Sequence, residues 1–158
     1  MDPMKEMLIE HQCAKLINRF FHLFNRDLTL VADLFTKDGT MDLVSHKVGP
    51  GPEAMREQMR PATVSHLESK EIDMSHVSNI VVDVIDETTA KGISYDLARK
   101  HVDKEGLAPG QLAPLPSHFY AGHWDDKFRL EEGVWKFSSR VLKLTYLRAD
   151  LVDEENAK

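Results

Sequence analysis

Three things are scarce in this sequence of 158 residues, and each scarcity excludes a class of protein. A single cysteine, Cys13, has no partner for an internal disulfide, which favours a reducing cytoplasm as the expected location. No apolar run approaches the roughly 18 residues needed to cross a bilayer, and the acidic N-terminus lacks the form of a signal peptide. Lysine and arginine number 20 against 26 acidic residues, so neither nucleic acid nor a membrane is an expected partner.

The remaining composition is that of a globular protein. Apolar residues make up 42% and charged residues 29% of the chain, which suits one packed domain of this length. We expect this domain to span residues 1–149, followed by an acidic C-terminal tail over residues 150–158. Neither an internal repeat nor a second domain is indicated.

Hydrophobic periodicity predicts three helices in the first 60 residues. The predicted helices span Met4–Phe24, about Leu28–Phe35, and Pro52 to about Met59. Asp2 and Pro3 have the chemistry of a helix start, whereas Pro61 is expected to end the third helix. Between the second and third helices, we expect a turn at residues 37–39 and a short strand over Thr40–His46.

Strand signals dominate the second half of the chain. The predicted strands span Ser75–Ile85, Ala90–Val102, Phe119–Leu130 and Val134–Tyr146. Residues 103–116, rich in proline and glycine, are expected to form a long loop beside a pocket mouth. Helices ahead of an antiparallel sheet predict an α+β fold. With so few long strands, the sheet must curl around the first helix into a cone, an α+β barrel with a pocket at its open end.

Four stretches, in this order, resemble the SnoaL-like branch of the nuclear-transport-factor-2-like superfamily. They are RFFHLFNRDLTLVADLFTKDGTMDL (19–43), SHVSNIVVDVIDETTAKGISY (75–95), WDDKF (124–128) and GVWKFSSR (133–140). The resemblance implies the same cone-shaped fold. The branch includes dehydratases, dehydrochlorinases, polyketide cyclases, isomerases and members with no known reaction, so the fold alone does not settle the function.

The resemblance also implies a catalytic site. It places a general base at His76, a histidine at the head of a strand. In the related enzymes an aspartate at the end of the first helix orients this histidine, and Asn25 stands at that place here. Asp27 is either a substitute for that aspartate or a capping residue. A tyrosine of related dehydratases is replaced by Phe20, and Arg140 matches an arginine that helps the leaving group depart in the dehydrochlorinase.

Asp126 matches an acid common in this branch. Simple alternation puts Arg140 on the face opposite Trp135 and Phe137, although a bulge would reverse that assignment. Asp126 and Arg140 are either site residues or a structural ion pair across neighbouring strands. The residues expected to bind substrate are Phe20, Phe24, Met41, Tyr95, His123, Trp124, Asp126 and Phe128, each with an ordinary core or sheet role as the alternative.

No motif indicates a metal, a nucleotide or a nucleophilic residue. The histidines lack ligand spacing, no G-x-S-x-G turn is present, and the glycines near residue 50 lack the pattern of a phosphate loop. The resemblance therefore implies a cofactor-independent lyase or isomerase that acts on a hydrophobic cyclic small molecule by histidine-mediated proton transfer. The alternative is a non-catalytic small-molecule-binding or assembly protein of the same fold. A homodimer or homotrimer is expected, because curved sheets of this kind expose an apolar convex face.

Overall fold

The computed structural model describes residues 1–102, 108, 110–113 and 118–148. The predicted acidic tail and most of the predicted loop over residues 103–116 lie outside this range. The described elements are helix α1 (Pro3–Phe24), a 3-10 helix (Leu28–Leu34), strand β1 (Phe35–Asp42), strand β2 (Lys47–Val48), helix α2 (Gly51–Glu68), and the long strands β3 (Glu71–Val84), β4 (Thr89–Val102), β5 (His118–Glu131) and β6 (Val134–Leu147).

The six strands form one curled, unclosed sheet in the order β2-β1-β6-β5-β4-β3. Strand β1 runs parallel to β6, and every other neighbouring pair is antiparallel. The helices precede the four long strands and cover the inner face of the sheet. The predicted α+β fold with a curled sheet around the first helix is confirmed.

Helix α1 begins where its sequence predicts. The Asp2 carboxylate accepts a hydrogen bond from the Met4 amide at 3.3 Å, and Pro3 occupies the first helical position, where a missing N–H costs nothing. Apolar residues at helical spacing form a buried stripe: Ile9, Cys13, Leu16, Ile17, Phe20 and Phe21. Burial of each large apolar side chain stabilises the fold by about 1.5–3 kcal/mol, so this stripe fixes α1 against the sheet.

Helix α2 continues well past Pro61, which was predicted to end it. The helix runs to Glu68 with Pro61 in its interior. A proline there removes one backbone hydrogen bond, to the carbonyl of Glu57. Both residues are exposed, so water can satisfy that carbonyl. The added turns carry His66 into the wall of the pocket described below.

The turn predicted at residues 37–39 is also wrong, because β1 runs through these positions. An irregularity in the pairing of β1 with β6 between Phe35 and Thr40 absorbs the extra residues. Gly39 is needed there, since a Cβ would lie 2.9 Å from the carbonyl oxygen of Phe137. The short strand predicted over Thr40–His46 is therefore displaced, and β1 ends at Asp42.

A bulge in β6 decides which side chains face the interior. Lys127 pairs with Ser139 and Phe128 with Phe137, which leaves Ser138 as an extra residue. The inward-facing series therefore changes from odd to even positions after Phe137, and Arg140 is buried on the same face. Simple alternation gave the wrong face for this arginine.

None of the described helices is long and apolar enough to cross a membrane.

Candidate functional site

The four long strands end together around a pocket of about 540 Å³, a size usual for small-molecule sites. The end of α1, the last turns of α2 and the segment after β1 complete its wall. Much of the lining is apolar, as expected for a site that binds a hydrophobic molecule. The apolar lining includes Phe24, Leu28, Leu43, Ala98, Phe119, Leu142, Leu144 and Leu147.

An imidazole and a carboxylate meet in the wall of this pocket. His66 comes from the last turn of α2 and Asp73 from an inward-facing position near the start of β3. The two side chains approach with 3.5 Å between His66 Nδ1 and Asp73 Oδ2, and they are 12% and 29% exposed. A carboxylate beside Nδ1 favours the tautomer protonated on Nδ1, which leaves Nε2 as a proton acceptor.

A network of hydrogen bonds forms a second polar region of the pocket. The Ser75 hydroxyl donates to Asn25 Oδ1 at 3.4 Å, and both residues line the pocket. The Tyr120 hydroxyl, also in the lining, donates to Asp96 Oδ2 at 2.6 Å. Trp124 Nε1 donates to the same oxygen at 3.2 Å. The pocket thus reaches the fully buried Asp96 through side-chain hydroxyls.

Burial dominates the electrostatics of this network. It raises the pKa of Asp96, while hydrogen bonds from Tyr120 and Trp124 and the charge of Arg140 act in the opposite direction. Burial together with the neighbouring Asp96 also raises the pKa of Tyr120, so this phenol remains a hydrogen-bond donor at neutral pH. Ser75 also acts to lower the pKa of Asp96.

Arg140 lies beneath the network, fully enclosed by aromatic rings. Its guanidinium carbon is 4.1 Å from the ring centre of Phe20 and 4.5 Å from that of Trp124. Its Nε is 3.6 Å from Asp126 Oδ1, and both side chains are 0% exposed. Burial raises the pKa of Asp126 to about 6 against the lowering effect of Arg140. Two buried carboxyls, Asp96 and Asp126, therefore share one buried cation.

No group of three or more potential metal ligands occurs among the described residues.

A sequence model of the SnoaL-like domain matches residues 5–141. The chain belongs to the SnoaL-like domain family. No curated protein matches it.

Solved structures show the same fold at low sequence identity. A protein of Novosphingobium aromaticivorans provisionally named a scytalone dehydratase is 18% identical, with a TM-score of 0.70 over 91% of this chain and 89% of that one. The hexachlorocyclohexane dehydrochlorinase LinA-type3 of Novosphingobium barchaimii is 15% identical, with a TM-score of 0.68 over 92% of each chain. A single-residue variant of a Mycobacterium tuberculosis protein of unknown function is 20% identical, with a TM-score of 0.66 over 92% of this chain and 82% of that one.

The structure of this SnoaL-like domain corrects the placement of His76. The side chains of Asp73 and Ser75 face the pocket, so His76, one position further along the strand, lies on the outer face and is exposed. Asn25 lines the pocket as predicted, but it contacts Ser75 instead of His76. A histidine that acts as a base within the pocket must therefore come from another element.

Asp27 caps the 3-10 helix, which was the alternative to a role beside the histidine. Its carboxylate accepts hydrogen bonds from the Thr29 amide at 2.8 Å and from the Thr29 hydroxyl at 2.7 Å. Arg140 and Asp126 form the structural ion pair that was the alternative to site residues, and neither lines the pocket. This corrects the catalytic placement of Arg140 and the substrate-binding placement of Asp126.

Of the aromatic and apolar residues predicted to bind substrate, only Phe24 lines the pocket. The rest divide into two groups. Those in the packed core, with exposures of 0–1%, are Phe20, Met41, Trp124 and Phe128. Tyr95 and His123 lie together outside the pocket, with 6.3 Å between ring centres, and Tyr95 is 49% exposed. Their alternative roles as core and sheet residues are the ones observed.

The sequence reasoning did not single out four polar residues that line the pocket or the buried acid behind them: His66, Asp73, Ser75 and Tyr120, with Asp96 in the core. The position of His66 depends on the continuation of α2 through Pro61, a residue that the sequence predicts to end the helix. Asp96 carried a readable signal, since it alternates with Ser94 and Ala98 along a strand, which puts a carboxylate on a buried face. Buried acids are rare unless they are paired or functional.

Proposed function

We propose that this protein is a cofactor-independent lyase or isomerase that moves a proton on a hydrophobic, cyclic small molecule, with His66 as the base. The contact between His66 and Asp73 in the wall of the pocket carries this proposal. A histidine ordinarily titrates near neutral pH and a carboxylate stabilises its protonated form, which are the requirements for taking a proton from carbon. The sequence predicts this role for His76, but the side chain of His76 lies on the outer face of the sheet, away from the pocket.

The chemical character of the pocket supports the substrate class. Apolar side chains form much of its lining, several of them from β6, and its volume suits a ring system. Its polar side chains include the pair His66 and Asp73 and the network of Asn25, Ser75 and Tyr120. Further polar side chains line the pocket at Ser45, His46, Ser65, Arg99 and Lys100. Such a pocket favours a molecule with a large apolar surface and oxygen atoms that can meet these polar side chains.

Non-catalytic binding is the second candidate, and one observation favours it. The resemblance implies an aspartate beside a catalytic histidine at the end of the first helix, whereas Asn25 at that place contacts Ser75 and the expected histidine, His76, is exposed on the outer face. The two candidates differ in whether the pocket exchanges protons with a bound molecule.

Deuterium exchange into a cyclic ketone tests the proposal without knowledge of the natural substrate. The protein is incubated with 1-tetralone in D₂O, and loss of the proton signal beside the carbonyl is followed by NMR. We expect exchange above the protein-free rate, and a reduction of at least about a hundredfold in His66→Ala.

His76→Ala is the matched control, since it removes an exposed imidazole from the other face of the same region. We expect it to exchange within about twofold of the wild-type rate. Wild-type exchange that persists in His66→Ala would rule out His66 as the base. Binding of 1-tetralone without any exchange would favour the non-catalytic candidate.

A further inference from the structure

The polar network at Tyr120 continues away from the pocket into the core. Among the described residues of β5, Tyr120 lines the pocket and also donates a hydrogen bond to Asp96. Its 2.6 Å contact is at the short end for hydrogen bonds between oxygens. Asp96 has no exposed surface, so any proton it exchanges with the pocket must pass through a neighbouring side chain.

Charged and titratable groups face Asp96 and Tyr120 from several strands. Arg140 of β6 acts on both groups as a cation, and Asp126 of β5 pairs with that same arginine. Asp73 of β3 acts on Tyr120 as an anion. Arg140 alone cannot fully neutralise two carboxylates in an interior of low dielectric, so protonation of one of them is favoured. Of the two carboxyls, Asp96 is the one that is hydrogen-bonded to a residue of the pocket, Tyr120.

We propose that Tyr120 is a catalytic acid and that Asp96 is the positioning residue that supplies its proton. This inference rests on the proposed function, in which His66 takes a proton from carbon. As the C–H bond breaks, its electron pair forms a carbon–carbon double bond. The π pair of the carbonyl, or the bonding pair of a breaking C–O bond, then moves onto the substrate oxygen, which becomes an enolate oxygen or the departing group. In this step the Tyr120 hydroxyl turns its proton from Asp96 toward that oxygen and accepts a hydrogen bond from the protonated carboxyl of Asp96. Tyr120 gives its proton to the oxygen and takes the proton of Asp96, which becomes a carboxylate. Return of the proton from His66 through solvent restores Asp96.

The network also explains why the transfer needs Asp96 in addition to Tyr120. A lone phenol would leave a phenolate after the transfer, beside Asp96 and in a place where burial disfavours its charge. With Asp96 behind it, the phenol is neutral before and after the transfer. The negative charge then rests on a carboxylate that accepts hydrogen bonds from Tyr120 and Trp124 and lies near Arg140.

Fluorescence of Trp124 gives a test that does not depend on activity. Its Nε1 donates to Asp96 Oδ2, so the emission should report the ionisation of this carboxyl. The chain has two tryptophans, and Trp135→Phe leaves Trp124 as the sole emitter. In that background, we expect a transition with pH that disappears in Asp96→Asn. Asp126→Asn is the matched control and should keep a transition.

Tyr120→Phe provides the second variant and does not depend on the folding of Asp96→Asn. Loss of the hydrogen bond that favours the ionised carboxyl should move the Trp124 transition upward by about one pH unit. An unchanged midpoint, or a transition that survives in Asp96→Asn, would overturn the coupling between Tyr120 and Asp96.

The exchange assay with 1-tetralone then separates the two proposals. We expect Tyr120→Phe to lower kcat at least about tenfold with a smaller change in KM, and to remove a dependence on pH that follows the Trp124 transition. Normal exchange in Tyr120→Phe together with lost exchange in His66→Ala would overturn the role of Tyr120 and leave the proposed function standing. No exchange in the wild type would overturn the proposed function and the catalytic role of Tyr120, while the Trp124 titration still decides the proton coupling.

Discussion

Substitution of Arg140 by methionine removes the most deeply buried charge of the described structure and keeps much of the side-chain volume. The guanidinium has 0% exposure, lies 3.6 Å from Asp126, and contacts the rings of Phe20, Phe21, Trp124 and Phe137 at 4.1 to 5.0 Å. Arg140→Met therefore leaves Asp126 buried without its cation.

Loss of one member of a buried ion pair costs about 3–5 kcal/mol. Cation–π contacts of desolvated arginines contribute up to about 2 kcal/mol, but they belong to the same arginine and do not add fully. We therefore expect Arg140→Met to lower the free energy of unfolding by about 3–5 kcal/mol. In a domain of this size, each kcal/mol lowers the Tm by about 2–4 °C, so the expected shift is about 6–20 °C.

Urea unfolding followed by circular dichroism measures the loss at equilibrium. Arg129→Met is the matched control, because Arg129 on β5 pairs with Asp38 at the surface, where an ion pair contributes about 0–1 kcal/mol. The double variant Arg140→Met with Asp126→Leu should recover part of the loss, since no uncompensated charge remains. A free energy of unfolding for Arg140→Met within about 1 kcal/mol of the wild-type value would refute the stabilising role of the buried ion pair.

The same variant has an expected dependence on pH. Burial raises the pKa of Asp126 to about 6, so the folded state binds this proton more tightly than the unfolded state does. The bound proton of Asp126 therefore adds to the free energy of unfolding below about pH 4, and this stabilisation is lost as the pH rises through about 6. Arg140 lowers the pKa of Asp126, so this pKa is higher in Arg140→Met, and the stabilisation is lost over a range that extends to higher pH. The stability difference between Arg140→Met and the wild type should therefore grow between about pH 5 and pH 8.

Two further predictions concern Cys13 and the assembly. Burial raises the pKa of the Cys13 thiol to about 12, so a thiol reagent should label the native protein at least about a hundredfold more slowly than the unfolded chain; equal rates would contradict its place in the core. Homo-oligomerisation, expected from the sequence, stays a prediction. Light scattering coupled to size exclusion should give the mass of a dimer or trimer, and the mass of one chain would contradict it.

The periodic segments of this chain could be predicted because their structure depends on local alternation. The helix over Pro3–Phe24 and the four long strands were recognised within a few residues of their observed bounds. The turn at residues 86–89 has its own local chemistry, in which the Asp86 carboxylate accepts hydrogen bonds from the amides of Thr88 and Thr89 at 2.7 and 2.9 Å. Such features need no information from distant residues.

The site could not be predicted in the same way, because single-residue changes of register decide which side chains enter the pocket. His76 and Ser75 are adjacent, yet Ser75 faces the pocket and His76 faces outward. The extra residue Ser138 turns Arg140 to the interior, against simple alternation. A strand has a period of two residues, so an error of one position in the sequence reverses the face completely.

The sequence by itself thus determined the class of fold, the order of its elements and the apolar stripe of the first helix, because each follows from composition and period. Tertiary structure alone decided that α2 passes through Pro61 and brings His66 to Asp73, and that Tyr120 meets Asp96 from a neighbouring strand. These contacts join residues that are far apart in the chain or on different strands. Their energies depend on burial and on the neighbouring charges, which exist only once the sheet has curled around the helix.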